Sequence, residues 1–371
     1  MKIDIILPFK EIFSKEKASA VSLTIKNSSE YSEFKNNIHI FGQHTNTPFS
    51  NFKFTGIKVN KFLHLGNNRS ILLNYFRLTK NNKSVDDKRI IEFHNRPYLF
   101  NIAINKKLQN PKTLHFHNDP REMKGSKSIK ERVFIATNAA AVYFVSQYIK
   151  DCFLEGISQN FQNLFVLPNG IQRRLSIKPN KKKQVLFIGR IVPEKGCHLF
   201  VEAIRDIVKI FPEWSFKIIG TPRAGENKLS ISYAKNLIEK FAVLGENVEY
   251  LGFISNEKVN EILTETSILV VPSIWQEPFA LTALEGIANG AAVIASKVGG
   301  MSEMLKDSGY LIEDINMIKL RDAITLFLTN QKLMIEYQNK SWNNYSYNQS
   351  DLVKKQDLYR RDILKNFYSD Y

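Results

Sequence analysis

Short apolar runs alternate with amphipathic stretches along the whole chain. Runs at 3–7, 37–41, 54–59, 89–93, 113–116, 141–145 and 164–166 have the length and β-branched content of buried strands. Between them, helical spacing appears at 18–26, 70–79, 98–105 and 129–137. In 70–79, Leu72, Leu73, Tyr75 and Phe76 carry that spacing. Ser146 is placed to cap a further helix that ends near Leu154. The pattern then restarts, with strands at 185–188, 215–219, 248–251, 267–271 and 292–295. Helices are expected at 198–210, 230–244, 257–264 and 317–329. In 198–210, Leu199, Phe200, Ala203, Ile204, Ile207 and Val208 fall on one stripe, as on a helix lying against a sheet. From 332 the chain is helical, rich in aromatics and charge, with a break near 347–350. Repeated β–α alternation predicts an α/β protein with parallel sheets covered by helices on both faces.

Two doubly wound halves emerge from this pattern. Residues 171–183 between them are basic, polar and broken by Pro179, which suggests a domain linker. The expected division is 1–177, 178–345 and a terminal helical segment 346–371. Ligands of such sheets bind at the carboxyl ends of the strands, and two facing halves would make a cleft.

The densest stretch is VPSIWQEPFALTALEGIANGAAVIASKVGG at 271–300. A strand at 268–271 ends at Pro272, and a polar-aromatic loop leads to Glu277-Pro278. Pro278 keeps Glu277 extended, just outside a helix expected over 279–289. Glu285 lies inside that helix, and Gly290 stops it. The unpaired N–H groups of Phe279, Ala280 and Leu281 would favour an anion. Either glutamate alone could be a helix-dipole partner worth about 0.3–1 kcal/mol, or a solvated side chain. Their grouping with these amides and a Gly299-Gly300 turn points to a ligand instead. A second loop, in VLFIGRIVPEKG at 185–196, follows a buried strand with Gly189, Arg190 and Lys195. Gly189 permits close approach. The two cations suit a phosphate, the guanidinium as a fork and the ammonium as a point charge.

A length of 371 residues with 43% hydrophobic content fits two globular domains. No apolar run approaches the ~20 residues of a membrane helix. The start, MKIDIILPFKEIF, has no signal-peptide apolar region and is expected to be a first strand of a cytoplasmic protein. Cys152 and Cys197 lack metal-ligand spacing and are expected to be buried thiols. With 52 Lys+Arg against 36 Asp+Glu, the net charge is +16. That favours anionic surfaces, membrane or phosphorylated substrates, or is a solvated basic surface. Basic and aromatic residues do not interleave, so no nucleic acid is expected as a partner. Arg121, Lys124, Lys127, Lys130 and Arg132 recur about every third residue. They suit an acidic acceptor or an anionic membrane face, or form a solvated helix side. Asn118 and Asp119 precede Pro120 as in an Asx turn. His115 is expected to point away from His117, into the core.

The segments FIGRIVPEKG (187–196), EPFALTALE (277–285), ASKVGGMSEML (295–305) and LPNGI (167–171) together resemble glycosyltransferase family 4. HNRP at 94–97 and LHFHNDPREMKGS at 114–126 look like lipopolysaccharide core sugar transferases of mannosyltransferase type. The resemblance implies the GT-B fold: two Rossmann-like doubly wound domains facing across a cleft, with a C-terminal helix crossing back to the first. It implies an acceptor-binding first domain, a donor-binding second domain, and transfer of a hexose with retention. Arg190 and Lys195 would hold the donor diphosphate, with Gly189 close by. Glu277 would bind sugar hydroxyls, the 279–281 amides the sugar and phosphate, and Glu285 the ribose. Gly220, the 221–227 loop and Leu251-Gly252-Phe253 would flank the base. His117 would line the cleft near the transferred sugar. His94, Asn118 and Arg121 would lie on the acceptor side. The catalytic set is then His117, Glu277, Arg190 and Lys195, with no metal and no cofactor. The donor would be GDP-mannose or a UDP-hexose, and the acceptor an anionic or lipid-linked envelope glycan at the inner face of the cytoplasmic membrane. One departure is visible. Family members carry a glycine-rich turn after the first strand, whereas 13–20 here has no glycine. A GT-B epimerase or phosphorylase, or a non-catalytic basic membrane-binding module, also fits parts of the pattern.

Overall fold

The computed structural model describes residues 2–16, 18–58, 67–79, 88–106, 110–222 and 228–369. The chain divides into two compact units, Met1–Gly170 with Gln349–Tyr371, and Ile171–Asn348. The first contains β1 (Lys2–Ile6), α1 (Ala20–Tyr31), β2 (Ile38–Gln43), β3 (Lys53–Ile57) and α2 (Asn67–Thr79). It continues with β4 (Arg89–His94), α3 (Pro97–Asn105), β5 (Lys112–Phe116) and α4 (Ile129–Asn138), then β6 (Ala141–Phe144), α5 (Gln147–Leu154) and β7 (Leu164–Val166). Its seven strands are parallel in the order β3-β2-β1-β4-β5-β6-β7.

The second unit repeats the scheme. It runs β8 (Lys182–Ile188), α6 (Cys197–Ile210), β9 (Ser215–Ile219), α7 (Lys228–Ala242), β10 (Val248–Gly252), α8 (Asn256–Glu265) and β11 (Thr266–Val271). Next come α9 (Leu281–Ala288), β12 (Ala292–Ser296), α10 (Gly299–Leu305), β13 (Gly309–Ile312), α11 (Met317–Thr329) and α12 (Gln331–Asn343). The order of this six-stranded parallel sheet is β10-β9-β8-β11-β12-β13. Each sheet therefore winds outward from one strand and then reverses. The switch points lie between β1 and β4 and between β8 and β11, where such sheets bind ligands beyond the strand ends.

Buried residues explain the layering. In the second unit Val185, Phe187, Ile268, Val270, Ala292 and Ile294 on the strands meet Phe200, Ile204 and Ile207 of α6 and Leu320, Ile324 and Phe327 of α11. Each such side chain contributes about 1.5–3 kcal/mol by leaving water. Caps set several helix starts. Ser19 and Ser22 form a capping box at α1, Ser128 and Glu131 one at α4, and Ser146 accepts from Ile149 N at α5.

Three expectations change. The segment 171–183 is fastened to the second unit rather than spanning freely. Ile171 N donates to Tyr347 O, and Arg173 stacks on Trp342 and Tyr345 with ring centroids 3.9 and 4.5 Å away. Lys181 caps the carbonyls of Thr264 and Asn289 at 2.9 and 2.6 Å. The division consequently falls at 170/171 instead of 177/178. The helix expected from 279 begins at Leu281, because Ala280 takes a left-handed φ of 59°. Gly299 and Gly300, expected as a turn, open α10. Val59, Lys17 and residues 223–227, which earlier expectations touched, lie outside the described residues.

The last helix, α13 (Gln349–Tyr368), belongs to the first unit. Tyr359 stacks on Phe165 with 4.5 Å between centroids, and Asp357 accepts from Ser32 Oγ and Glu33 N. Among the described residues no helix is long and apolar enough to cross a membrane.

Candidate active site

In the second unit, the loops after β8 and β11 meet at the switch point. Residues Pro193–Lys195 form one 3₁₀ turn that ends on Gly196 at φ 68°. A Cβ on Gly196 would lie 1.9 Å from the Pro272 carbonyl oxygen, so only glycine lets this turn seat against the end of β11. Ile274 N donates to Glu194 O at 3.0 Å, which ties the loops together. Lys195 is thereby brought to Glu277, with Nζ 2.5 Å from Oε1. Ser273 Oγ donates to the same oxygen at 2.6 Å. Glu277 is 3% exposed. Its backbone carbonyl accepts from Gly300 N at 2.8 Å, while Gln276 Oε1 accepts from Gly299 N at 2.8 Å. The carboxylate is thus held by Lys195 and Ser273, and the backbone that carries it by the start of α10. The ammonium has three donors, of which Glu277 takes one.

Arg190 is more open. Its guanidinium lies 3.6 Å from Glu194 and is 42% exposed at the side chain. Gly189 and Gly220 lie back to back, since a Cβ on Gly220 would sit 1.8 Å from Gly189 O. Gly220 N donates to Gly252 O, and Phe253 beyond it is 81% exposed. These loops therefore keep the backbone low at the carboxyl ends of β8, β9 and β10.

Ala280 caps α9 without a side-chain acceptor, so the leading N–H groups of Leu281 onward have no capping side chain. An alanine in the left-handed region costs about 1–2 kcal/mol. Phe279 points into the core, 3% exposed and 5.8 Å from the Tyr347 ring. Any contact it makes with a ligand is through its backbone. Glu285 is half-buried on α9, and burial pushes its carboxyl up to about 7.

In the first unit the histidines lie at the carboxyl ends of β4 and β5, beside the switch point between β1 and β4. His94 closes β4 and pairs in register with His115 on β5. The side-chain period of a strand is two residues, so His115 and His117 share a face. His115 does not point away from His117 as expected. It is buried, and its ring stacks on His94 at 4.3 Å, while the His117 ring lies 5.3 Å from His94. His94 is 4% exposed, and its Nδ1 lies 3.0 Å from His117 Nε2. It backs His117 and is itself closed to solvent. Burial holds all three imidazoles well below the ordinary range, His115 and His117 at about 3, so they are neutral at pH 7.

Asn95, at φ 54°, ties this end together. Its N donates to His115 O and its Oδ1 accepts from His117 N, both within 2.9 Å. Asn118 is exposed, and Asp119 accepts from Arg121 N in the Asx turn. Arg121 is held by Asp119 at 2.6 Å and Glu155 at 2.9 Å. The basic stretch is not one solvated stripe. Arg132 is 3% exposed and donates to the carbonyls of Phe153, Lys127 and Glu155.

Beneath the histidines, donor atoms of Glu92, His94 and His115 lie within 4.8 Å of one another. The two rings are stacked 16° from parallel, so their lone pairs do not converge on one point. Both Glu92 oxygens accept from Arg360 of α13 at 2.8 Å. The set is arranged as a salt bridge rather than a metal centre. Sequence reasoning passed over Glu92, Asn95, Ser273, Gln276 and Arg360. Only Asn95, inside HNRP, had a local signal.

A family model described as glycosyl transferases group 1 matches residues 170–349. The uncharacterized glycosyltransferase MJ1178 of Methanocaldococcus jannaschii is 31% identical over 297 residues, covering 76% of this chain and 78% of that protein. The lipopolysaccharide 1,2-N-acetylglucosaminetransferase of Salmonella typhimurium is 24% identical over 58% of this chain and 62% of its own length. Anabaena Alr3699/HepE, solved in complex with UDP and with UDP-glucose, matches at a TM-score of 0.75 with 15% identity, over 98% of this chain and 100% of that one. Two parallel sheets in dinucleotide-fold order and 31% identity to a glycosyltransferase over three quarters of the chain lead to one conclusion: the chain belongs to the group 1 glycosyl transferases and is a glycosyltransferase of GT-B fold.

Proposed function

We propose that the protein is a retaining hexosyltransferase of family 4. It moves a hexose from a UDP-hexose or GDP-mannose to a hydroxyl of an envelope glycan such as the lipopolysaccharide core. The observation that carries this is the Lys195–Glu277 pair, an ammonium and a buried carboxylate held side by side next to an uncapped helix start. Glu277 would accept from sugar hydroxyls. Lys195, Arg190 and the N–H groups of α9 would meet the charge growing on the departing diphosphate, which calls for no metal in this scheme. Glu285 would accept from the ribose, and Phe253 would cover the base. The acceptor oxygen bonds to the anomeric carbon on the face from which the phosphate oxygen leaves. Its proton passes to that phosphate oxygen. Fixed positioning supplies most of the rate. His117, with Asn118 and Arg121 nearby in sequence, would serve the transferred sugar and an acidic acceptor.

Three facts support the donor and acceptor classes. Alr3699/HepE was solved with UDP and UDP-glucose, which favours a UDP-hexose. The Salmonella relative is named for lipopolysaccharide. The net charge of +16 suits an anionic acceptor and an anionic membrane face, which we propose is the cytoplasmic one. A melting screen against UDP-glucose, GDP-mannose and ADP-glucose tests the donor. Ligand at about 100 times Kd adds about 2.7 kcal/mol, roughly 5–10 °C for a unit of this size. If no nucleotide-sugar shifts the melt, the donor site is wrongly placed.

Glu285 adds a pH signature. Its folded value of about 7 lies above its ordinary value of 4.5, so the native state keeps an extra proton between the two. Its stabilising contribution is complete below pH 4.5 and is lost as pH rises through 7. That loss is about 2 kcal/mol after discounting for its partial exposure. The ionised carboxylate accepts from ribose hydroxyls more strongly than the neutral acid, so nucleotide-sugar affinity should rise between pH 6 and 8. Calorimetric titrations of Glu285→Gln should show weaker binding with that rise gone. An unchanged pH profile in the variant would remove Glu285 from the donor site.

A further inference from the structure

We propose that His94 is a positioning residue. Its Nδ1–H donates to His117 Nε2, so His117 carries its own proton on Nδ1 and offers that N–H to a substrate oxygen. This rests on the proposal that His117 serves the transferred sugar.

The two ring nitrogens are 3.0 Å apart, which fits one hydrogen bond. Between two neutral imidazoles that bond has two polarities. If His117 Nε2–H donates, His94 has its proton on Nε2. If His94 Nδ1–H donates, Nε2 of His94 is a bare lone pair. His94 Nε2 is buried and has no hydrogen-bond partner. A buried N–H without an acceptor is the costlier orphan, because unpaired acceptors are tolerated more often than unpaired donors. The same holds for His115, whose Nε2 is likewise buried and unpartnered beside the His94 ring. The nearest fixed charges agree. The Arg360 guanidinium opposes added positive charge on both buried rings. Glu92 does not take a proton from His94 Nε2 instead, because that nitrogen has no hydrogen-bond partner and the Glu92 oxygens are turned to Arg360.

The surroundings hold this arrangement rigid. Asn95 accepts from the His117 backbone N, and register pairing fixes His94 against His115. His117 is half-buried at the end of β5, and its Nδ1 is the ring nitrogen left to a substrate. A donor set in place before the reaction stabilises developing negative charge without reorganisation.

The test uses the full chain with ¹⁵N-labelled histidine. Two-bond ¹H–¹⁵N spectra should show His117 as the Nδ1–H tautomer, with His117→Gln providing the assignment. An Nε2–H tautomer overturns the proposal whatever the substrate is. In turnover assays, His94→Phe should lower kcat by about 10–100-fold, the scale for losing a residue that orients a working histidine. The donor KM should change less than about threefold, a split that general loosening would not give. His94→Asn, whose amide N–H can stand near the lost Nδ1–H, should recover most of the rate. Wild-type kcat in His94→Phe, or no recovery in His94→Asn, overturns the positioning role. If His94→Phe does not fold, the tautomer in the unaltered chain and His94→Asn decide. Full activity in His117→Ala would overturn the substrate role of His117 while leaving the tautomer to be read separately.

Discussion

Replacing Lys195 by alanine is expected to lower kcat by about 10²–10³, measured with whichever nucleotide-sugar the melting screen identifies. That is the scale for losing one pre-set group that stabilises charge in the transition state. Lys195 is placed for this by the 3₁₀ turn seated on Gly196, and its ammonium lies 2.5 Å from Glu277. Removing it does two things. It takes away the cation proposed to meet the departing diphosphate, and it leaves a 3%-exposed carboxylate with Ser273 as its remaining side-chain donor. The second effect should cost about 2 kcal/mol of stability, the range for a hydrogen bond to a charged group. A Glu277→Gln/Lys195→Ala variant separates them, because the neutral amide removes the stranded charge. Its melting temperature should recover while kcat stays low. Near-wild-type turnover in Lys195→Ala would show that the diphosphate binds elsewhere.

Replacing Arg360 by methionine should destabilise the first unit by about 3–5 kcal/mol, because it strands two buried carboxylates. Arg360 is 1% exposed, as is Glu92, and Asp357 is 3% exposed. The guanidinium donates twice to Glu92 and once to Asp357, at 2.8–2.9 Å. For a unit of this size the melting temperature should fall by roughly 6–20 °C. Calorimetry should show the fall in one transition, with the second unit's own transition unmoved. Adding Glu92→Gln should restore part of the loss, since breaking the pair costs more than removing both charges. Equal melting temperatures for Arg360→Met and the unaltered chain would mean that the charges are not desolvated as the structure has them.

Most strands and helices were legible because their signal is local. In α6, Phe200, Ala203, Ile204 and Ile207 recur at helical spacing, and all are buried. The loops after β8 and β9 were legible for a related reason. Gly196 and Gly220 mark places where backbones approach too closely for any side chain, so they stand out in a single sequence. Errors arose where a neighbour in space outweighs local pattern. Apolar residues at 279–281 suggested helix, but Ala280 turns left-handed. Basic residues at 171–183 suggested a linker, but Trp342, Tyr345 and buried carbonyls hold Arg173 and Lys181. His115 was assigned to the wrong face by a misapplied period, and the register with His94 corrects it.

By itself the sequence determined the α/β class, the repeat of the winding, and the loops that carry Glu277, Glu285, Arg190 and Lys195. Periodicity, turn residues and short-range spacing depend only on the near neighbours of each residue. Tertiary structure alone decided what those side chains face. It paired Lys195 with Glu277 and His94 with His117. It also sent Arg360 to Glu92, 268 residues away along the chain. Those pairings follow from strand order and from the return of α13 to the first sheet. A charge leaves water only when its partner is already in place, and no local pattern records where that partner will be.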